Sequence, residues 1–312
     1  MQKPYCQRLA HTLALLALVA LVPQGHAAGA PDASTYAVTD RWTLPGSGGW
    51  DCLTVDPPRH RLFLSRGDRV EVVDTTSGKL IGTVAGTAGV HAIALAPELG
   101  RGFTSNGRTN SITVFNYDTL ERIQDLPVPG ENPDLLLYLP ASGHLLVLNG
   151  RSRNAVVLDA RSLAVLATVP MPGKPEFAVD DGHGQVFVNI ESDPGRLVQL
   201  SDSTYTVTAN WELSGCNGPT GLAMDVAQHR LFSACDDGVL NVIHQETPDH
   251  YTAVGAPATQ AGARTLAFDP ASRRVYTVTA KFAPAAAPTA EAPRPRPQPL
   301  PDSFTVLVLA PH

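Results

Sequence analysis

The stretch Gly215–Cys235 reads GCNGPTGLAMDVAQHRLFSAC, and its grammar decides the fold. An apolar strand (Thr220 to Asp225) runs into a short turn (Val226 to His229) and a second apolar strand (Arg230 to Ala234), with Cys216 and Cys235 at its two ends. The same grammar recurs as WDCLTVDPPRHRLFLS from Trp50, VHAIALAPELGRGFTS from Val90 and PDLLLYLPASGHLLVL from Pro133. It returns as PEFAVDDGHGQVFVN from Pro175 and ARTLAFDPASRRVYTV from Ala263.

Aligning the residue that opens each copy gives Asp51, His91, Asp134, Glu176, Thr220 and Arg264, at steps of 40, 43, 42, 44 and 44 residues. Short strands cut by Gly, Pro, Asp and Asn fill the intervals, and no stretch carries a long helical period. Repeats of this length built from four strands are propeller blades, whose sheets bury their faces only by packing between neighbours. The chain therefore reads as all-β, a propeller of six four-stranded blades. The last unit lacks a fourth strand, and the segment from Thr35 has the pattern of one, so the N-terminal strand is expected to close the ring. A single propeller domain spans 35–312, with a proline-rich loop, 281–302, inserted in its last blade.

Several of these segments, GWDCLTVD, GVHAIALAPELGRGFTSNGRTNSITVFN, NPDLLLY, GKPEFAV, GCNGPTGLAMDVAQHRLFSAC and GARTLAFDPASRRVYTVTAKF…SFTVLVL, closely resemble exported YVTN-repeat propellers of the YncE-like family. The resemblance covers nearly the whole chain after its first residues. It implies export, a propeller fold and no established catalytic activity. Members usually look seven-bladed, which makes seven the alternative count. Relative to that pattern, the second half of one blade and the first half of the next are missing after Cys235, joined in phase.

The first residues support the same compartment. Lys3 and Arg8 precede an apolar run from Leu9 to Val22 and small residues near Ala28, the layout of a secretory signal peptide over 1–28. The run is too short for a membrane anchor, which needs about 20 apolar residues. Removing Lys3 and Arg8 takes the formal charge from −6 to −8, which disfavours nucleic acid as a partner. A periplasmic or secreted monomer is expected.

In a propeller the first strand of each blade lines the central channel, so the six opening residues should ring one mouth. Loops from second to third strands reach the same face and would add Arg66, Asn106, Asn149, Asn189, Glu191 and Asp236. Such a mouth suits a small anionic molecule, which Arg264 favours, or a protein partner. Oxygen and imidazole ligands from Asp51, His91, Asp134 and Glu176 also suit a divalent metal. Polar residues also line wet channel mouths with no ligand at all, and that plainer reading is weighed above the metal.

Two functions follow from different classes. The first is a non-enzymatic binding propeller. The second is a metal-dependent hydrolase of lactonase or esterase type, with a metal-bound water as nucleophile. No nucleophile elbow, phosphate loop or zinc signature occurs in the sequence.

In an oxidising compartment Cys216 and Cys235 should pair, closing a 19-residue span. Such a loop contributes on the order of 3 kcal/mol in the chain-entropy account. Cys52 is expected as a buried thiol. His60, His144, His183 and His229 fall in or beside turns on the face opposite the ring, and the proline-rich loop should emerge on the mouth face.

Overall fold

The computed structural model of the chain describes residues 36–180, 184–191, 196–212, 219–235, 238–247, 250–284 and 297–311. The expected signal peptide, Cys216, His183, Asp236 and the middle of the proline-rich loop lie outside these residues.

Among the described residues the strands form six four-stranded antiparallel sheets. Blade one runs outward through Leu53–Asp56, Arg61–Arg66, Arg69–Asp74 and Leu80–Ala85. Blades two to five repeat that order, beginning from Val90–Ala96, Pro133–Leu139, Lys174–Asp180 and Pro219–Asp225. The innermost strand of each blade touches the next, and that of blade six, Leu266–Asp269, touches that of blade one, so the ring closes at six. The seven-bladed alternative is excluded.

Blade six is finished from the other end of the chain. Its third strand, Thr305–Pro311, pairs antiparallel with Tyr36–Thr43, in a register that sets Tyr36 opposite Pro311 and Thr43 opposite Thr305. Past the strand ends, the Leu44 amide donates to the Phe304 carbonyl at 2.9 Å and the Gly46 amide to the Asp302 carboxylate at 2.7 Å.

Burial explains the sequence pattern within each blade. Second and third strands lie between two neighbouring sheets and read as continuous apolar runs, such as HLLVLN and NAVVLD in blade three. Fourth strands sit at the rim and alternate, so that only Val84 of Leu80–Ala85 is buried. Each core cluster joins adjacent blades: Leu146, Leu148 and Val157 of blade three pack with Val186 and Val188 of blade four. Each fully buried Leu or Val contributes roughly 1.5–3 kcal/mol, so the blade interfaces carry most of the stability.

The turns on the far face are built locally. Three-residue 3₁₀ turns at Pro57–Arg59, Pro97–Leu99 and Val226–Gln228 end on His60, Gly100 and His229, all left-handed. His60 and His229 are thus turn residues, as their positions in the sequence suggested. His144 opens a second strand and bonds the Tyr205 hydroxyl. Between third and fourth strands, Asp74 and Asp159 accept hydrogen bonds from Ser77 and Ser162, three residues on.

Candidate functional site at the channel mouth

Four opening residues share a backbone device. The pairing of first and second strands shifts register between Val90 and Ile93, Pro133 and Leu135, Pro175 and Phe177, and Pro219 and Gly221. His91, Asp134, Glu176 and Thr220 lie inside these bulges. A bulge leaves a residue outside the ladder and re-aims its side chain. Asp51 and Arg264 reach the same level without one, because their blades' first strands begin two residues later, at Leu53 and Leu266.

Hydroxyls from second strands fix this layer. Ser65 Oγ accepts from the Asp51 amide at 2.8 Å, and Ser105 Oγ accepts from the Ala92 amide while donating to the Asp134 carbonyl, both at 2.9 Å. Bonds between blades continue the frame: the Cys52 amide to the His91 carbonyl, Thr265 Oγ1 to the Asp51 carbonyl, and the Gly221 amide to the Arg264 carbonyl.

On this frame three side chains meet. His91 Nδ1 lies 2.6 Å from Asp51 Oδ2 and 3.2 Å from Asp134 Oδ1. One ligand atom from each of Asp51, His91 and Asp134 falls within 4.8 Å of the others, the spacing of a small metal set. Asp134 continues to Lys174 at 3.8 Å, and Lys174 Nζ pairs with Glu176 at 2.9 Å and with Glu191. Lys174 is the bridging cation of the mouth. It stands two residues before Glu176, at the start of the same strand, and the alignment of opening residues passed over it.

Burial and the neighbouring charges set the protonation of this cluster. Burial pushes the Asp134 carboxyl up to about 7; His91 and Lys174 oppose the shift, while Glu176 and Asp51 add to it. Burial alone would lower His91, but the Asp51 hydrogen bond and the charges of Asp134, Asp51 and Glu176 outweigh it and raise the imidazole above its ordinary range. Glu176 is raised by burial against the opposing pull of Lys174. Burial would lower Lys174, yet its bonds to Glu191 and Glu176 hold it above the ordinary lysine range. The cluster therefore retains protons near neutrality and behaves as one titrating unit.

Cys52 lies directly beneath. Burial raises its thiol well above the ordinary value, Asp51, Asp134 and Glu176 push it further, and Arg264 partly offsets them. The thiol itself is inert, being buried and held protonated.

The expected outer ring is not assembled at the mouth. Asn106 is 2% exposed, and its amide is committed within its own blade to Thr104, Ser111 and Thr113. Asn149 is fully buried under Gly130 and bonds Asn154 at 2.9 Å. Arg66 is buried against the Phe304 ring, 3.9 Å from its centre, with Glu71 at 3.3 Å. These side chains end second strands that are covered on both faces, so they turn into the sheet. Glu191 is exposed and joins the mouth through Lys174; Thr220 is half-buried in its bulge. Cys235 ends its strand, but its pairing with Cys216 falls outside the described residues.

Of the proline-rich insertion, the described feet stand next to Trp50. They pair at Phe282 and Pro299, and the Phe282 ring lies 5.9 Å from that of Trp50, the neighbour of Asp51.

Fold and mouth together define a six-bladed β-propeller with a charged channel opening. No protein-family profile matches the chain, and no curated protein does. The likeness to YVTN-repeat, YncE-like propellers therefore gains support from these comparisons at the level of the propeller fold alone. Among solved structures, the chain is similar to the RRP9 WD40 repeats, at 11% identity and a TM-score of 0.64, over 88% of this chain and 99% of that one. It is also similar to hydrazine synthase from Kuenenia stuttgartiensis, at 14% identity and a TM-score of 0.63, over 75% and 92%. At such identities the likeness is one of fold.

Proposed function

We propose that the chain is an exported binding propeller, periplasmic or secreted and monomeric, that takes a small polar ligand or a protein partner at its channel mouth without catalysing a reaction. The observation that supports this is how the mouth charges are partnered: His91 stands between Asp51 and Asp134, and Lys174 among Asp134, Glu176 and Glu191. These groups form a fixed array of donors and acceptors that a polar ligand engages by exchanging one partner for another. The two structural neighbours, an enzyme and a set of WD40 repeats by name, show that the fold leaves the function open. Pairing of Cys216 with Cys235 belongs to the same reading, as a staple suited to an oxidising compartment.

The second reading, a metal-dependent lactonase or esterase, is favoured by the spacing of Asp51, His91 and Asp134. Glu176, the fourth expected ligand, is bound to Lys174 instead. His91 also presents the same Nδ1 to both carboxylates, so a cation entering there must displace the proton that they hold.

Metal analysis of the purified protein, a lactone and ester panel with and without chelator, and melting in divalent cations, carboxylates and phosphates separate the two. The binding reading expects no chelator-sensitive turnover, together with a ligand-dependent rise in Tm that Asp134→Asn or His91→Gln reduces. Stoichiometric metal with chelator-sensitive turnover would overturn it.

A further inference from the structure

Beside the acidic mouth, at the boundary of blades three and four, an open depression of about 370 Å³ is lined by Asn132, Gly150, Arg151, Arg153 and Lys174. Its volume falls near the lower end of small-molecule sites, which run from roughly 300 to 1,000 Å³. Three of its five lining residues are cationic, in a chain whose formal charge is −6.

The two arginines differ from Lys174 in one respect. Lys174 is taken up by Glu176 and Glu191, whereas among the described residues no carboxylate lies within 4.0 Å of the Arg151 or Arg153 guanidinium. Two other exposed arginines do find carboxylates: Arg59 has Asp118, and Arg122 has Asp125. Unpaired guanidiniums lining one concavity keep their forks available for an incoming oxyanion.

The loop that carries them is held in place. The Gly150 amide donates to the Asn132 carbonyl at 2.9 Å, the Arg151 amide to the Glu131 carbonyl at 3.3 Å, and the Met171 amide to the Arg153 carbonyl at 2.9 Å. The Glu131 amide donates to Ser152 Oγ at 2.6 Å. Arg153 is itself left-handed, with φ of 53°, a conformation that these bonds maintain. Gly150 forms the floor: a Cβ there would stand 3.0 Å from Lys174 Cε and 3.2 Å from Asn132 Nδ2 and Asp134 Oδ2. Its missing side chain keeps the depression open down to the Asn132 amide and the Lys174 stem. A preorganised loop loses little entropy when a ligand arrives.

The geometry points to this depression as an anion site, distinct from the Asp51–His91–Asp134 cluster, that takes a small carboxylate or phosphate between Arg151 and Arg153, with the Asn132 amide as a neutral contact. It rests on the mouth face being the binding face; Lys174 is shared with the mouth charges, but Arg151 and Arg153, the residues on which this site is tested, are not among them.

The test is calorimetric titration of the full chain with inorganic phosphate and with citrate, at constant ionic strength set by sodium chloride. Arg151→Ala/Arg153→Ala and Arg151→Lys/Arg153→Lys double variants are titrated alongside the parent. Both positions are exposed, so each variant should melt as the parent does. Saturable binding of either anion is expected, weakened at least about tenfold in the alanine variant and by a smaller factor in the lysine variant, which keeps the charge but not the fork. Absence of saturable binding, or equal affinity in parent and alanine variant, overturns the proposal. Asp134→Asn that still binds phosphate, while losing the ligand response of the mouth, would show that the two sites are separate. Loss of anion binding with that response intact would sink this site alone.

Discussion

At the scale of residues, the chemistry of the mouth lies in one imidazole shared by two carboxylates. A buried acid whose pKa is raised binds its proton more tightly in the folded chain than in the unfolded one. Stability that depends on that proton is present at low pH and is lost as pH rises through the folded value. Asp134 at about 7 and a raised His91 act in the same direction. The melting temperature should therefore fall between pH 5 and pH 8, by roughly 2–4 °C for each kcal/mol lost in a domain of this size. Asp134→Asn should flatten that slope, as calorimetric scans at several pH values would reveal; an unchanged slope would refute the assignment. Asp74 and Asp159 act oppositely: their serine-capped turns depress both carboxyls, so their contribution fades as pH falls below the ordinary aspartate range.

A second residue-scale prediction concerns the buried Asp56–Arg61 pair. Asp56 Oδ2 accepts from Arg61 at 2.7 and 2.9 Å and from the Tyr117 hydroxyl at 2.7 Å, which ties blade one to blade two. Removing one partner leaves a buried charge uncompensated. Asp56→Ala should cost about 3–5 kcal/mol in denaturant unfolding. Arg59→Ala, which breaks an exposed pair, should cost less than about 1 kcal/mol.

At the scale of elements, the blade was readable because its second and third strands are continuous apolar runs with turn residues at fixed intervals. The bulges were not. Whether His91 or Glu176 stands inside or outside a ladder depends on backbone pairing, to which hydrophobic pattern is blind. Lys174 was missed for the same reason, since the alignment fixed on one residue per strand. Asn106 and Asn149 were expected at the mouth, yet the sequence held a contrary sign: each faces a polar partner across the second and third strands, Ser111 and Asn154. Paired polar residues at matching positions of two buried strands mark a satisfied internal contact. The Arg151–Arg153 loop carried no pattern, because a concavity is made by the packing of two blades.

Also at this scale, Gly78 tests how the closing strand is seated. It sits in the turn before the fourth strand of blade one with φ of 69°, and a Cβ there would stand 2.4 Å from the Trp42 ring of Tyr36–Thr43. Gly78→Ala should combine left-handed strain with that clash and destabilise the fold by roughly 1–3 kcal/mol. Gly100→Ala, also left-handed but with open space around its Cβ, isolates the backbone part and should cost less.

At the scale of the whole molecule, six blades share a ring in which every sheet has two partners. Deleting 36–43 would bare Thr305–Pro311 as an open edge and uncover the faces that Trp42 and Tyr36 protect. The truncated chain should lose its cooperative melt and self-associate, as light scattering coupled to size exclusion would report; a monomer melting as the parent does would contradict this account of closure.

The register of that seam has a mechanical consequence. Tyr36 and Pro311 face each other at the same end of the antiparallel pair, so a force drawing these two residues apart loads the ladder one rung at a time. The ring would peel open from Tyr36 toward Thr43 at low force. Pulled instead between positions inside two neighbouring blades, it would have to shear packed sheets against each other. The strand that makes the propeller continuous is thus also its zip fastener, and the tab lies where Tyr36 meets Pro311.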